Sequence, residues 1–215
     1  MKYQPILLIA ISVLLVGAGC TPTKSPSPAA NAPSANAPAM TGPKGNTNAA
    51  PAQAGAGMKL YTSAPYDFSY PKAYTLTDHP MTEAARKPYL DKGLDAPLQL
   101  VTLATVTRPP GFTGEGPPSI AVIQWNNAQR TPLLEWAKKQ SGYTNFTGAN
   151  KNLSNAQFLG HPSLAYDYDG LYGGKARLID LDGTVLQISA DFDADAGNTN
   201  MAAFDTILST LSLSK

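Results

Sequence analysis

Residues 175–192 read KARLIDLDGTVLQISADF, two strand-like segments joined by Asp182-Gly183. Asp-Gly is a preferred dipeptide for a two-residue type I′ turn, because both central residues of that turn need positive φ. In the second segment the apolar side chains fall at every second position on one face, and Gln187, Ser189 and Asp191 fall on the other. These residues predict a β-hairpin, Lys175–Leu181 with Val185–Phe192, that has one apolar and one polar face.

Further strands are predicted before this hairpin. Tyr66–Tyr70 alternates aromatic and polar residues, as a half-buried strand does, and Pro71 ends it. Ser119–Trp125 is apolar on both faces, which is typical of a central strand. The other predicted strands are Tyr74–Thr77, Leu98–Thr107, Leu153–Leu159 and Leu164–Asp169.

Three segments have helical patterns. Thr131-Pro132 predicts a helix start, with Thr131 as N-cap and Pro132 at the first helical position, and Gly142 predicts its end. Met201–Leu211 repeats apolar residues at three- and four-residue steps, and Met81–Leu90 fits a short helix. Many strands with a few helices that need an apolar surface to cover predict an α+β fold, an antiparallel β-sheet with helices packed on it.

The N-terminus has the pattern of an export signal. Lys2 supplies positive charge, Ile6–Val16 is an apolar run broken only by Ser12, and small residues precede the lone Cys20. The run is shorter than the about 20 residues of a membrane-spanning helix and has the order of a secretory signal peptide. Residues 1–19 resemble a bacterial lipoprotein signal, which implies that Cys20 carries acyl chains such as palmitate and anchors the protein on the extracytoplasmic side of a membrane.

A linker is predicted after Cys20. Thr21–Gly57 consists almost entirely of Ala, Pro, Asn, Ser, Thr and Gly, with Lys24 and Lys44 as its only charges. Such a segment cannot bury enough apolar surface to offset its ordering entropy, so we expect disorder. The predicted organisation is a signal peptide (1–19), a lipidated cysteine with its linker (20–57) and one folded domain (58–215).

Charge and metal-ligand content exclude several classes of function. Without Lys2 the chain has fifteen Lys and Arg against fifteen Asp and Glu, so no basic excess would attract nucleic acid. With only His79 and His161 and no cysteine besides Cys20, a structural zinc site would lack ligands. No phosphate-binding or hydrolase motif is present. We therefore expect no nucleic acid, no cofactor and no metal centre.

Two acidic groups are candidate sites. Asp167 and Asp169 project from one face of a strand, and paired carboxylates in a cleft are what a glycoside hydrolase needs. Their alternation with tyrosines fits a solvent face better. The run Asp191–Asp195 offers oxygen ligands for a cation such as calcium, but the EF-hand pattern fails, because Ala196 and Ala202 stand where Gly and Glu are needed. A solvated loop is the alternative.

Aromatic residues give a third candidate site. Tyr166, Tyr168 and Tyr172 together with Trp125 could form a platform for sugars or peptides, since such rings combine apolar area with a polar tip. Core packing is the commoner fate of aromatic residues in strands, and both hypotheses stay open at this point.

The order of these features resembles the PsbP-like family of α+β domains over about Tyr66 to Leu213. The residues that carry the likeness are the opening Tyr66–Pro71 with Tyr74, the helix Thr131–Gly142, the Gly160-His161 turn before Leu164–Tyr166, and the Asp182-Gly183 hairpin. The resemblance implies a non-enzymatic accessory or binding module. Plant and cyanobacterial members attach to photosystem II, but no photosynthetic feature of this sequence carries that partner over.

The sequence thus predicts a lipid-anchored, non-catalytic accessory or binding domain at the bacterial cell envelope, with an envelope or membrane protein as partner. One alternative is a carbohydrate- or cell-wall-binding module that uses Tyr166, Tyr168, Tyr172 and Trp125. A second is an envelope hydrolase that uses Asp167 and Asp169.

Overall fold

A computed structural model describes residues 55–105, 117–170, 172–192 and 199–214 of the chain. Its strands are β1 (Met58–Ser63), β2 (Tyr66–Pro71), β3 (Thr75–His79), β4 (Pro97–Ala104), β5 (Ile120–Asn126), β6 (Lys151–Phe158), β7 (His161–Tyr168), β8 (Gly173–Asp180), β9 (Thr184–Phe192) and β10 (Ser212–Leu213). Its helices are α1 (Glu83–Leu90), α2 (Leu133–Lys139), α3 (Ser141–Thr144) and α4 (Thr199–Thr210).

The strands form two antiparallel sheets. The small sheet has the order β1-β2-β10, and the large one has the order β3-β4-β5-β9-β8-β7-β6. The predicted α+β class is confirmed. The sequence analysis predicted one sheet, and the structure has a second, smaller one. β5 and β9 lie in the interior of the large sheet, so the interior position predicted for Ser119–Trp125 is confirmed.

The hairpin predicted at residues 175–192 is present as β8 and β9. Asp180 is the register partner of Val185, and the turn residues Asp182 and Gly183 have φ of 57° and 107°. Leu181 N donates to Thr184 O at 2.8 Å. These values agree with the type I′ turn that the Asp-Gly dipeptide predicts.

The large sheet is covered on both faces. The small sheet and α4 pack on one face, where Phe68, Ile188 and Phe204 belong to the same apolar cluster. Helix α2 packs on the other face, where Leu133, Trp136 and Leu178 belong to a second cluster. The face of β9 predicted to be polar is therefore interior, and Gln187 and Ser189 are buried.

Two predicted helix ends are wrong. Thr131 does not cap α2, because Asn127 holds it instead: Asn127 Oδ1 accepts from Thr131 N at 2.9 Å, and Asn127 Nδ2 donates to Thr131 O at 3.0 Å. Gly142 does not end the helical segment but lies inside α3, and Asn145 supplies the left-handed residue that ends it, with φ of 55°.

The predicted first and last helices are present. Thr82 caps α1 and accepts from Ala85 N at 3.2 Å. Helix α4 starts at Thr199, and Asn200 lies in its first turn. The Asn200 side chain accepts from the Tyr74 hydroxyl at 2.7 Å and donates to Asp191 O at 2.8 Å. These bonds connect the start of α4 to Tyr74, which precedes β3, and to Asp191 on β9.

Candidate functional site

Three of the four aromatic residues predicted to form a platform are core residues. Trp125 and Tyr166 are 1% exposed and Tyr168 is 5% exposed, whereas Tyr172 is partly exposed. The prediction of a surface platform from these four rings therefore fails for Trp125, Tyr166 and Tyr168 in this conformation.

The helical layer explains this burial. Tyr166 donates its hydroxyl to Thr144 O at 2.6 Å and meets the ring of Phe146 edge-on, with centroids 5.0 Å apart. Trp125 Nε1 donates to Gln187 Oε1 at 2.8 Å. The polar tip of each ring is thus satisfied inside the protein, as buried tyrosine and tryptophan require.

The buried Tyr168 and the half-buried Asp191 form a polar pair. The Tyr168 hydroxyl donates to Asp191 Oδ1 at 2.8 Å. Burial raises the pKa of the Tyr168 phenol and also raises the pKa of the Asp191 carboxyl. Asp191 is the first residue of the acidic run considered as a cation site, and the rest of that run, Asp193 and Asp195, lies outside the described residues.

The two carboxylates considered for hydrolysis have surface roles. Asp167 Oδ2 accepts from Asn152 Nδ2 at 2.6 Å, and Asp169 pairs with the Lys151 ammonium at 3.0 Å in an exposed salt bridge. Neither residue lines either of the two cavities described below. Asp167 is half-buried and hydrogen-bonded to an amide, and Asp169 is exposed and ion-paired, so neither carboxylate of this pair is placed in the described grooves as glycoside hydrolysis needs.

Metal-ligating side chains are dispersed. His79 Nε2 lies 2.9 Å from Thr102 Oγ1, and His161 Nδ1 lies 3.1 Å from Asp180 O. Across residues 55–105, 117–170, 172–192 and 199–214, no group of three or more His, Cys, Asp or Glu side chains is placed to hold a metal ion. Over the same ranges, no helix is long and apolar enough to cross a membrane.

The outer edge of the large sheet is exposed. β6 pairs with β7 on one side, and no described strand pairs with its other side. Seven of its eight residues are exposed, and only Phe158 is partly buried. An unpaired strand presents a row of free backbone N–H and C=O groups, which is a template for pairing with another chain.

A groove lies along this edge. It encloses about 610 Å³ between the start of α2 and the strands β6 and β7. Its lining residues are Pro132, Leu133, Leu134, Asn155, Ala156, Gln157, Pro162, Ser163 and Asp180. We call this groove together with β6 the edge groove. One wall is apolar, the other carries two carboxamides, and Asp180 supplies a carboxylate.

A smaller cavity lies on the opposite face. It encloses about 320 Å³ and is lined by Pro65, Gln124, His161, Leu181, Thr184, Leu213 and Ser214. The described part of the chain gives this cavity one titratable side chain, His161, whose Nδ1 is already 3.1 Å from Asp180 O. It lacks the row of unpaired backbone groups that adjoins the larger groove.

The sequence did not single out the edge groove. Leu153–Leu159 was predicted to be a strand, but its place at a sheet edge depends on pairing with β7 and on nothing local. One signal was available: the strand contains no charged residue after Lys151, and Asn and Gln alternate in it where a core strand would carry apolar residues.

Comparison with known proteins gives no assignment by sequence. No protein-family model matches the chain, and no curated protein matches it. The fold is similar to solved structures that include a cyanobacterial PsbP from Synechocystis sp. PCC 6803, with a TM-score of 0.47 and 14% identity over 78% of this chain and 98% of that one.

Two other solved structures are similar at lower TM-scores. One is LpqN, described as involved in cell envelope biogenesis of Mycobacterium tuberculosis, with a TM-score of 0.43 and 18% identity over 74% of this chain and 91% of that one. The other is a protein of unknown function from Pseudomonas aeruginosa, with a TM-score of 0.36 and 13% identity over 74% and 98%. The likeness to PsbP-like proteins predicted from the sequence is found again here, but at these values it assigns no ligand or function.

Proposed function

We propose that this protein is a non-catalytic binding domain, held on the extracytoplasmic side of a bacterial membrane by lipidated Cys20, that takes up an extended segment of an envelope or membrane protein as an extra strand along β6. The observation that carries the proposal is the exposed, unpaired β6 beside the 610 Å³ groove. Strand addition at a free sheet edge is a recurring mode of peptide recognition, in which backbone hydrogen bonds give affinity and side-chain pockets give specificity.

The turn between β6 and β7 fixes which backbone groups of β6 face outward. Leu159 and Gly160 both have positive φ, 51° and 81°, so they form a two-residue hairpin turn with Phe158 opposite His161. The pair that flanks such a turn is hydrogen-bonded, and the pattern then alternates along the strand. Asn155 and Gln157 therefore direct their N–H and C=O groups away from β7, toward an added strand.

The second half of β6 lacks the usual protection of an edge. Natural edges are commonly blocked by charge, by proline or by bulges. β6 begins with the charged Lys151 and has an irregularity between Lys151 and Ser154, but from Ser154 to Phe158 it carries no charge and no proline. The other edge of the large sheet, β3, carries Asp78 within five residues. An unprotected edge strand exposes a protein to aggregation, so its presence here favours a partner strand that covers it.

The groove favours a partner segment over a second copy of this chain. Asn155 is the register partner of the buried Leu164, so its side chain lies on the α2 face, and Gln157 shares that face. A second β6 paired symmetrically would add its own carboxamides beside the apolar wall formed by Pro132, Leu133 and Leu134. A partner strand with apolar side chains at alternate positions fits that wall better, and a basic residue at one end would face Asp180.

Site-specific photocrosslinking of the full chain in its native host tests this proposal. A photoreactive residue is placed at Asn155 on β6, and the matched control carries it at the exposed Thr77 on β3. We expect one adduct with a different protein from position 155, and mass spectrometry should map the link to an extended segment of that protein. An adduct of two copies of this chain, or equal labelling from positions 155 and 77, would overturn the proposal.

A further inference from the structure

A cluster of rings lies under α1, away from the edge groove. Tyr89 on α1 contacts Tyr143 and Trp125, with ring centroids 4.6 Å and 5.7 Å apart. Trp125 and Tyr143 are themselves 6.2 Å apart, and Trp136 lies 5.9 Å from Trp125 on the inner side. The Tyr89 ring therefore rests in a place that has Trp125 as its floor and Tyr143 as its wall.

Helix α1 is bound loosely to the rest of the domain. None of its eight residues is buried, it contains Pro88, and Leu90 points to solvent with 53% exposure. Arg86 Nε is enclosed but has no hydrogen-bond partner, so the helix does not satisfy its own polar groups against the surface it covers. The Tyr89 ring is the large apolar contact that holds this helix down.

The chain after α1 is anchored firmly. Lys139 Nζ binds Asp95 Oδ2 at 3.2 Å, and the buried Gln140 donates its carboxamide to Asp95 O at 3.0 Å. Between Leu90 and Asp95, Gly93 has φ of 69°, a conformation that glycine adopts freely. The segment is also tied at its other end, where His79 of β3 pairs with Leu100 and its Nε2 lies 2.9 Å from Thr102 Oγ1. Outward movement of Tyr89 therefore requires the stretch between His79 and Asp95 to swing as a flap held at both ends.

We propose that Trp125 and Tyr143 form a binding site for an aromatic side chain of a polypeptide partner, which Tyr89 occupies until α1 moves aside. Tyr89 indicates the chemistry of the ligand, because its phenol ring already occupies the site in close, tilted contact with the Tyr143 ring. Lys92 lies at the rim, with Nζ 3.1 Å from the Tyr143 hydroxyl and 5.6 Å from its ring centroid. This site does not depend on the edge groove, and either one can fail without the other.

The chain provides its own reporter for this site. Its two tryptophans, Trp125 and Trp136, both belong to the cluster under Tyr89. Displacement of the Tyr89 ring therefore changes the surroundings of the tryptophan signal directly. N-acetyl-L-tyrosinamide serves as the probe ligand, N-acetyl-L-leucinamide as the apolar control and methyl β-glucoside as the sugar control.

The decisive comparison is between wild type and Tyr89→Ala, each titrated with the three probes while tryptophan emission is followed. We expect Tyr89→Ala to bind N-acetyl-L-tyrosinamide about tenfold more tightly than wild type, a change of about 1.4 kcal/mol. Adding Tyr143→Ala should abolish this binding, and Leu90→Ala, which alters an exposed side chain, should behave like wild type. Equal affinity of wild type and Tyr89→Ala, or a preference for the leucine or sugar probe, would overturn the assignment.

Amide hydrogen exchange on the wild-type protein keeps the test independent of how Tyr89→Ala folds. The amides of α1 should exchange at least about tenfold faster than those of α4, because opening of a flap requires no global unfolding. Exchange of α1 at the rate of α4 would contradict a removable cover. Tyr89→Phe retains the ring and should retain the wild-type rate.

Discussion

The phenol ring of Tyr168 crosses β8 at Gly174. These two residues are register partners, and Gly174 is also the register partner of Asp191 on the next strand, so the Tyr168 hydroxyl passes over the glycine to reach Asp191 Oδ1 at 2.8 Å. A Cβ placed on Gly174 would overlap Cζ, Cε2 and the hydroxyl oxygen of Tyr168. The missing side chain at Gly174 is thus what lets a buried tyrosine reach across one strand to the next.

Replacing Gly174 by alanine should destabilise the domain. The Tyr168 ring is buried and hydrogen-bonded, so it cannot move aside easily, and overpacking of this kind costs about 1–3 kcal/mol. Urea unfolding followed by tryptophan emission measures the change. Gly173→Ala is the matched control, because a Cβ there would meet only Tyr168 O at an ordinary 3.9 Å. Equal stability of the two variants would contradict the packing described here.

Replacing Asp191 by asparagine should change how stability depends on pH. Burial raises the pKa of the Asp191 carboxyl, so the folded protein holds a proton that the unfolded chain releases at lower pH. Asp191 therefore contributes stability that is present below the ordinary pKa of Asp, about 3.9, and is lost as the pH rises through its raised folded pKa. Relative to wild type, Asp191→Asn should gain stability as the pH rises through this window, measured by urea unfolding at several pH values.

Alkaline pH should unfold the domain in a way that depends on its buried phenols. Burial raises the pKa of Tyr66, Tyr166 and Tyr168 above the ordinary value of 10.0. Their contribution is complete below that value and is lost as the pH rises above it, because only the unfolded chain releases these protons. Tyr168→Phe should weaken the decline in the free energy of unfolding above pH about 10 by up to 1.4 kcal/mol per pH unit. An unchanged slope would show that Tyr168 ionises freely in the folded state.

Replacing Cys20 by alanine should release the protein from membranes. The proposed anchor depends on that thiol, and multiple acyl chains hold a protein far more stably than one. Cell fractionation with immunoblotting compares wild type with Cys20→Ala, and Cys20 is the only cysteine of the chain, so no other thiol can substitute. Retention of the variant in the membrane fraction, at wild-type level, would contradict lipid anchoring at this residue.

The sequence predicted the parts of the fold that local chemistry determines. Asp182-Gly183 selected its turn because few dipeptides tolerate two consecutive positive φ values, and the hairpin followed from it. The helix ends were less predictable. Thr131 has the right chemistry for an N-cap, but the neighbouring Asn127 makes two hydrogen bonds to its backbone and holds it outside the helix.

The candidate site could not be predicted in the same way. Tyr166 and Tyr168 alternate with acidic residues, a pattern that is typical of a strand with one solvent face. The pattern does not say whether the tyrosine face is open to a ligand or covered, and in the structure α2 and α3 cover it. Which face a helix covers is decided by tertiary packing. The exposure of β6 likewise depends on its place at the end of the sheet order, for which the carboxamides of Asn155 and Gln157 are only an indirect signal.

The most direct test of strand addition at β6 is the crosslink yield from position 155 when Gln157 is changed to proline, compared with Gln157→Ala. The Gln157 N–H points away from β7, so proline removes one donor from the outer edge and leaves the β6–β7 pairing intact. We predict that Gln157→Pro loses the adduct with the partner protein, whereas Gln157→Ala, which removes only the side chain, retains most of it. Equal yields from the two variants would show that the partner does not pair with the β6 backbone and would contradict the proposed function.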